Sequence, residues 1–301
     1  MNTNPSRTIT VGVDGSPESV VAARWAAREA QRRHQDLLLL HAHHDSAFTH
    51  HSADASSEDE VGKGQASQDL LSVVGRMVAA ANPDLTVRLS SVTGDPRPAL
   101  RAASVTSALT VVGTRGRGRI AEVLLGSVAL STASRAQSPV AVVPPTTDVS
   151  ETAAVGPVLL GADGTGASEA AVGYAYDEAA VRCTELLAVT VWDDPALRGF
   201  AITAPLVGVL EDQEEELVLA EQLAGWSGKY PDVHVRRVVL RGRPATQLLS
   251  YRPAGGPPPP LIVVGSRGRG GLTGLALGST THQLISAAHV PVIIVRLSTE
   301  H

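Results

Sequence analysis

Cysteine, lysine and aromatic residues are all scarce in this chain of 301 residues. The one cysteine, Cys183, excludes an intrachain disulfide and a multi-cysteine metal site, and it fits a reducing compartment such as the cytoplasm. Cys183 comes near the end of a predicted helix with no neighbouring histidine, so we interpret it as a buried structural thiol. A cytoplasmic location is the resulting expectation.

Long apolar runs and a surplus of positive charge are also missing. No run approaches the roughly 18 apolar residues of a membrane-spanning helix, and the N-terminus lacks the hydrophobic stretch of a signal peptide. The net charge of −5 argues against a nucleic-acid-binding protein, because phosphate contacts need a basic surface. With aromatics at only 3%, the core must be aliphatic, which suits parallel sheets buried on both faces.

An internal repeat of about 150 residues dominates the sequence. The matching segments keep their order, which indicates a duplicated domain. The matching pairs are 10–16 with 159–165, 83–88 with 231–236, 111–118 with 263–270, 126–127 with 278–279, and 138–143 with 290–295. The polar, proline-containing stretch 144–152 is the join, so we predict domains over 1–149 and 150–301.

Each copy alternates apolar strands with helices. In the first copy the predicted strands are 9–13, 37–42, 87–92, 109–112 and 140–143. Ser16 and Pro17 fit the cap and first turn of the first helix, and later helices are predicted around 70–80, 98–104 and 127–136. This order predicts an α/β domain with a parallel sheet, helices on both faces, and a ligand at the carboxyl ends of the strands.

The glycines repeat with a fixed spacing. Gly113-x2-Gly116-x9-Gly126-Ser127 recurs as Gly265-x2-Gly268-x9-Gly278-Ser279, each time between a strand and a helix. Glycines allow close backbone approach, and a helix N-terminus favours anions, so the pattern predicts a phosphate cradle. The alternative is tight loop-to-helix packing without a ligand. There is no Gly-Lys-Ser/Thr phosphate loop, and no set of catalytic side chains recurs in both copies.

Asp14 and Asp163 end the first strand of each copy, beside the expected position of the glycine loop. A carboxylate there can accept hydrogen bonds from ribose hydroxyls or bind a metal on phosphates. Because Asp-Gly is also a turn signal, a purely local role in the turn is the alternative.

These features together resemble the universal stress protein family, in particular its tandem-domain, ATP-binding type found in actinobacteria. The resemblance implies two Rossmann-like domains, each with a five-stranded parallel sheet. It implies a cytoplasmic stress-response regulator with one ATP, carrying Mg²⁺, in each domain and little or no turnover. A weak ATPase or phosphotransferase using the same pockets, and a purely structural interaction module, are the alternatives.

The resemblance also implies the site residues. In the first copy they are Asp14, Gly15, Ala42, Val112, Gly113, Arg115, Gly116, Gly126, Ser127 and Val128. In the second copy they are Asp163, Gly164, Val191, Val264, Gly265, Arg267, Gly268, Gly278, Ser279 and Thr280. The backbone at Ala42 and at Val191 would hold adenine. Family members pair through their last strand, so an intramolecular pairing of 140–143 with 292–295 is expected, with a possible homodimer of whole chains.

Three features predict that the two sites differ. A histidine cluster follows the second strand, with members His41, His43, His44, His50 and His51, and it is either a zinc or nickel site or a polar loop. Arg119 stands where the second copy has Gly271, and a proline run at 257–260 precedes the strand that carries Gly265.

Overall fold

The computed structural model describes residues 8–43, 57–116, 125–150, 156–192, 205–268 and 277–296. Within these ranges, residues 57–65, 167, 205–211 and 255 are described by their backbone alone. Contacts divide the chain into two compact units, Met1–Val149 and Ser150–His301.

The first unit contains five strands and four helices among its described residues. In chain order they are β1 (Thr8–Gly12), α1 (Pro17–Arg32), β2 (Asp36–His43), α2 (Ser57–Ala81), β3 (Val87–Thr93), α3 (Pro96–Ser104), β4 (Leu109–Gly113), α4 (Ser127–Arg135) and β5 (Val140–Val143). The strands pair in the order β3-β2-β1-β4-β5, and every pairing in this order is parallel.

The second unit repeats this arrangement. Its elements are β6 (Val158–Ala162), α5 (Glu169–Val181), β7 (Leu186–Trp192), α6 (Pro205–Ser227), β8 (Val235–Arg241), α7 (Pro244–Ser250), β9 (Leu261–Gly265), α8 (Ser279–Ala287) and β10 (Val292–Val295). The strands pair in parallel in the order β8-β7-β6-β9-β10. The α/β fold with a parallel sheet in each unit, predicted from the sequence, is therefore confirmed.

Buried aliphatic side chains on both faces of the central strands form the cores. In β2, Leu37 and Leu39 are fully buried and Leu40 is 5% exposed, so the neighbours Leu39 and Leu40, which lie on opposite faces, are both covered. Helices provide this cover in two pairs, α1 with α2 and α3 with α4. Burial of one such leucine contributes about 1.5–3 kcal/mol, which explains why the strands appear in the sequence as continuous apolar runs.

The first helix of each unit begins differently. Ser16 caps α1 by accepting a hydrogen bond from the Ser19 amide at 3.1 Å, and Pro17 occupies the first turn, as the sequence predicts. The second unit has no proline there, and a 3-10 turn over Gly166–Ser168 precedes α5. The Gln222 side chain of α6 donates to the Thr165 carbonyl at 3.2 Å, which ties this turn to α6.

The prediction of a buried Cys183 is wrong. Helix α5 ends at Val181, and Cys183 follows the cap as an exposed residue with a φ of 49°. Its amide donates to the Ala180 carbonyl at 3.0 Å, a helix-ending geometry in which glycine is the usual residue. Cys183 is exposed because it follows the end of the helix, and the apolar character of its side chain does not decide its burial.

Candidate nucleotide site

Asp14 lies in the turn that follows β1, next to the glycine loop. One carboxylate oxygen, Oδ1, accepts hydrogen bonds from the Ser16 amide at 2.9 Å and the Ser16 hydroxyl at 2.6 Å. Gly15 has a φ of 79°, a left-handed conformation that glycine adopts without strain. Asp14 therefore stabilises the turn after β1 by accepting these hydrogen bonds. The same hydrogen bonds hold its carboxylate at the carboxyl end of the strand.

Gly116 is the residue of the glycine loop that approaches Asp14. A Cβ at position 116 would overlap Oδ2, the second carboxylate oxygen of Asp14. A Cβ at Gly113 would lie 3.1 Å from the Glu18 carbonyl oxygen of α1. The loop after β4 therefore packs closely against the turn after β1 at Gly116 and against the backbone of α1 at Gly113.

Gly126 places the N-terminus of α4 against the same loop. Its amide donates to the Thr114 carbonyl at 2.7 Å, and its φ of −72° and ψ of 150° make it the cap residue. No side chain caps this helix, and the first intrahelical bond runs from the Leu130 amide to the Gly126 carbonyl. The amides of residues 127–129 therefore lack intrahelical acceptors, as the first turn of any helix does, and they are available to an anion.

These parts surround a cavity of about 1020 Å³ in the first unit. This volume is at the upper end of the range for small-molecule sites. Nine predicted site residues line it, namely Asp14, Ala42, Val112, Gly113, Arg115, Gly116, Gly126, Ser127 and Val128. Of the ten predicted for this unit, all described, only Gly15 is not among the lining residues.

Sequence reasoning missed part of the lining. Leu40, Leu100 and Leu125 contribute apolar surface, and Ser19 and Thr114 contribute hydroxyls. The sequence predicted the strands and helices near which these residues lie. Their positions close to the motif residues in the sequence were therefore the signal that could have identified them.

His41 also lines the cavity and is buried, with 9% of the residue exposed. Its Nδ1 lies 2.6 Å from the Val13 carbonyl oxygen, and its ring centroid lies 6.2 Å from that of His43. His43 contacts the hydroxyls of Ser91 and Thr93 on β3, each at 3.3 Å. His44, His50 and His51 lie outside the described residues. Across the part of the chain that the structure describes, no group of three or more His, Cys, Asp or Glu side chains could hold a metal ion.

The second unit reproduces the geometry around its aspartate and glycines. Oδ1 of Asp163 accepts hydrogen bonds from the Thr165 amide at 3.1 Å and the Thr165 hydroxyl at 2.7 Å, and Gly164 has a φ of 73°. A Cβ at Gly268 would overlap Oδ2 of Asp163. The Gly278 amide donates to the Ser266 carbonyl at 2.9 Å, with a φ of −70° and a ψ of 153°.

The remaining predicted residues of the second unit lie on the elements that meet at this point. Val264 and Gly265 end β9, Arg267 follows them, Ser279 and Thr280 begin α8, and Val191 lies in β7. The proline run does not disrupt the strand that carries Gly265, because β9 pairs with both β6 and β10. Arg119 and Gly271 lie outside the described residues.

Arg296 is a charged residue of the second unit that sequence reasoning missed. It directly follows β10, whose Val295 carbonyl accepts from the Ser266 amide at 2.9 Å beside the glycine loop. Burial, and to a lesser extent the positive charge of Arg267, lowers the pKa of Arg296. The first unit has Pro144 in the corresponding place after β5, so the charges around the two loops differ.

None of the described helices combines the length and the apolar character needed to cross a membrane.

Comparison with known proteins identifies the family. The model of the universal stress protein family matches residues 5–144 and 155–296. Universal stress protein Rv2005c of Mycobacterium tuberculosis is 38% identical over 296 residues, which cover 96% of this chain and 97% of the relative.

Two solved structures are also similar. A universal stress protein from Archaeoglobus fulgidus has 19% identity and a TM-score of 0.70, over 97% of each chain. A shorter universal stress protein, solved in complex with cAMP, covers 47% of this chain and 99% of its own, with 27% identity and a TM-score of 0.36. With two family matches that span nearly all of its length, and a relative of similar size at 38% identity, the chain belongs to the universal stress protein family.

Proposed function

We propose that this protein is a nucleotide-binding stress-response regulator that holds one ATP in each unit, with little or no turnover. One observation carries the proposal. In both units an aspartate at the end of the first strand, a glycine packed against its carboxylate and an uncapped helix N-terminus come together. The reducing compartment favoured by the single cysteine, together with the family resemblance, supports a cytoplasmic location.

The phosphates would lie at the N-termini of α4 and α8. Free amides and the helix dipole favour negative charge there, and the Ser127 and Ser279 hydroxyls add hydrogen-bonding groups. Asp14 and Asp163 would face the ribose or a Mg²⁺ carried by the phosphates, since a magnesium ion on a nucleotide commonly needs only one or two protein carboxylates. The backbone at Ala42 and Val191 would hold the adenine.

Little or no turnover is proposed because no set of catalytic side chains recurs in both units. The first pocket is lined by His41 and His43, but Asp14 is its only carboxylate among the described lining residues, and Oδ1 of Asp14 already accepts two hydrogen bonds from Ser16. Phosphoryl transfer requires a positioned nucleophile together with groups that neutralise the developing charge.

Nucleotide extraction followed by a turnover assay tests this proposal. The purified chain is denatured and the released small molecules are identified by mass spectrometry. Fresh protein is then incubated with excess Mg²⁺-ATP. We expect adenine nucleotide to be recovered or ATP to bind, and ADP release to stay below one equivalent per site. Sustained ADP release would instead support the ATPase or phosphotransferase, and absence of both nucleotide and ATP binding would support a purely structural module.

We also propose that the two last strands, β5 and β10, pair with each other within one chain. Each strand is apolar and ends the strand order of its own unit, so its outer backbone groups are available to a further strand. Whole chains would in addition associate into a homodimer, as the family resemblance implies.

Hydrogen exchange tests the strand pairing. The informative amides are those of Val140–Val143 that do not face β4 and those of Val292–Val295 that do not face β9. Pairing predicts that these amides exchange as slowly as those of the central strands, because they would be hydrogen-bonded. Exchange as fast as in exposed turns would place the pairing elsewhere.

A further inference from the structure

The two units use different side chains for the same hydrogen bond beside the pocket. In the first unit, β1 and β2 are in register at Gly12 and Leu40, and the next residue on β2, His41, places Nδ1 2.6 Å from the Val13 carbonyl oxygen. In the second unit, Ala162 pairs with Thr190, and the Thr190 hydroxyl donates to the Ala162 carbonyl at 3.0 Å. Histidine and threonine thus occupy one structural position.

This hydrogen bond determines the state of the His41 ring. A backbone carbonyl can only accept, so the ring nitrogen next to Val13 carries the proton. In the neutral ring, Nε2 is then the nitrogen with a free lone pair, and it is the atom that gains a proton when the ring becomes charged. Thr190 contacts the equivalent carbonyl but has no group that titrates between pH 5 and 8.

The charges around His41 come from four elements. Asp14, in the turn after β1, and Arg115, in the loop after β4, line the same cavity. His43, further along β2, lines this cavity as well, and Ser91 and Thr93 on the adjacent β3 are uncharged. At the start of α3, Asp95 pairs with Arg97 beside the lining residue Pro96. A bound polyphosphate would therefore add several negative charges to a cavity whose only described acidic lining residue is Asp14.

We propose that His41 couples nucleotide binding in the first unit to proton uptake, and that the second unit lacks this coupling because Thr190 replaces the histidine. The inference rests on the proposed function. An anionic ligand favours the charged imidazole over the neutral one, so binding is accompanied by the uptake of a proton. A site that takes up a proton on binding holds its ligand more tightly as the pH falls. The affinity of the first unit for the nucleotide therefore increases as the pH falls across the range in which histidine side chains become charged.

The experiment measures each site of the full chain separately. Gly268→Ala weakens ATP binding at the second site, so ATP titrations of this variant measure the first site. Gly116→Ala weakens ATP binding at the first site, so titrations of that variant measure the second. Calorimetry from pH 8 to pH 5.5, in buffers of different ionisation enthalpy, gives both the affinity and the number of protons taken up. The terminal phosphate of ATP titrates in this range in both sites, so the readout is the difference between them.

We expect the first site to gain about tenfold more affinity than the second between pH 8 and 5.5, which corresponds to about 1.4 kcal/mol. His41→Thr in the Gly268→Ala background should remove this excess and the additional proton uptake. His41→Asn provides a second test, because its amide can donate to the Val13 carbonyl without titrating. His43→Thr should retain the excess.

Three outcomes would overturn the inference. The inference is contradicted if the affinities of the two sites depend equally on pH. It is also contradicted if the greater gain in affinity of the first site survives both His41 substitutions or disappears with His43→Thr. In each of these cases ATP binding itself remains. Absence of ATP binding to the wild-type chain at every pH would instead overturn the proposed function, and the inference with it.

Discussion

Gly116→Ala is expected to weaken ATP binding in the first unit by about 10- to 100-fold and to leave the second unit unaffected. The added methyl group would overlap Oδ2 of Asp14. Asp14 cannot move away freely, because Ser16 holds its other oxygen through two hydrogen bonds. Either the loop or the carboxylate must shift, and the nucleotide then has to restore the displaced group when it binds. Overpacking of this kind costs about 1–3 kcal/mol, and an equal cost of restoring the group corresponds to roughly the stated loss of affinity.

Gly268→Ala is the matched change in the second unit, where the overlap would be with Asp163. Calorimetry should show one strong site in either single variant and none in the double variant. Gly225→Ala is the control, because a Cβ there meets no atom within 4 Å. It should leave both sites intact and, as a glycine replaced within helix α6, raise the free energy of unfolding by up to about 1 kcal/mol. Two sites of wild-type affinity in Gly116→Ala would show that this loop does not bind the nucleotide.

Arg182→Met is expected to lower the free energy of unfolding of the second unit by about 3 kcal/mol. The Glu178 side chain is fully buried on α5, and its Oε1 lies 2.5 Å from Nε of Arg182, which is 13% exposed. Removal of one member of a buried ion pair takes away part of the compensation of the other charge, which typically costs about 3–5 kcal/mol. The same pair occurs in the first unit, where Nε of Arg33 lies 2.8 Å from Oε1 of the fully buried Glu29.

Urea unfolding followed by tryptophan fluorescence measures this loss, since Trp192 and Trp226 both lie in the second unit. Arg24→Met, at an exposed position of α1, should change stability by no more than about 0.5 kcal/mol. The double change Glu178→Leu with Arg182→Met should be less destabilising than Arg182→Met alone, because no buried charge remains. A loss below about 0.5 kcal/mol for Arg182→Met would contradict this view of the pair.

The sequence predicted the strands well because parallel strands are buried on both faces. Their apolar runs are continuous, and β5 was predicted with the bounds that the structure has. Helix α2 was predicted only around 70–80, whereas it runs over Ser57–Ala81. Its first half is rich in charged and small residues and has little of the apolar periodicity on which a helix prediction depends.

The glycines of the site were predictable because their spacing repeats, but their neighbours were not. His41 appeared in the sequence as one of five clustered histidines, and only the register of β1 with β2 distinguishes it by placing its ring at Val13. Arg296 is distant in sequence from Arg267, and the pairing of β10 with β9 brings the two ends together. Contacts of this kind depend on strand order, which local sequence patterns do not specify.

Isothermal titration of the wild-type chain with Mg²⁺-ATP tests the central claim most directly. The same geometry of aspartate, glycine and helix N-terminus occurs in both units, so we predict saturation at two ATP per chain. In the double variant Gly116→Ala with Gly268→Ala, both sites are predicted to bind ATP about 10- to 100-fold more weakly. A wild-type chain that takes up no ATP, or a double variant that binds two ATP with wild-type affinity, would contradict the account.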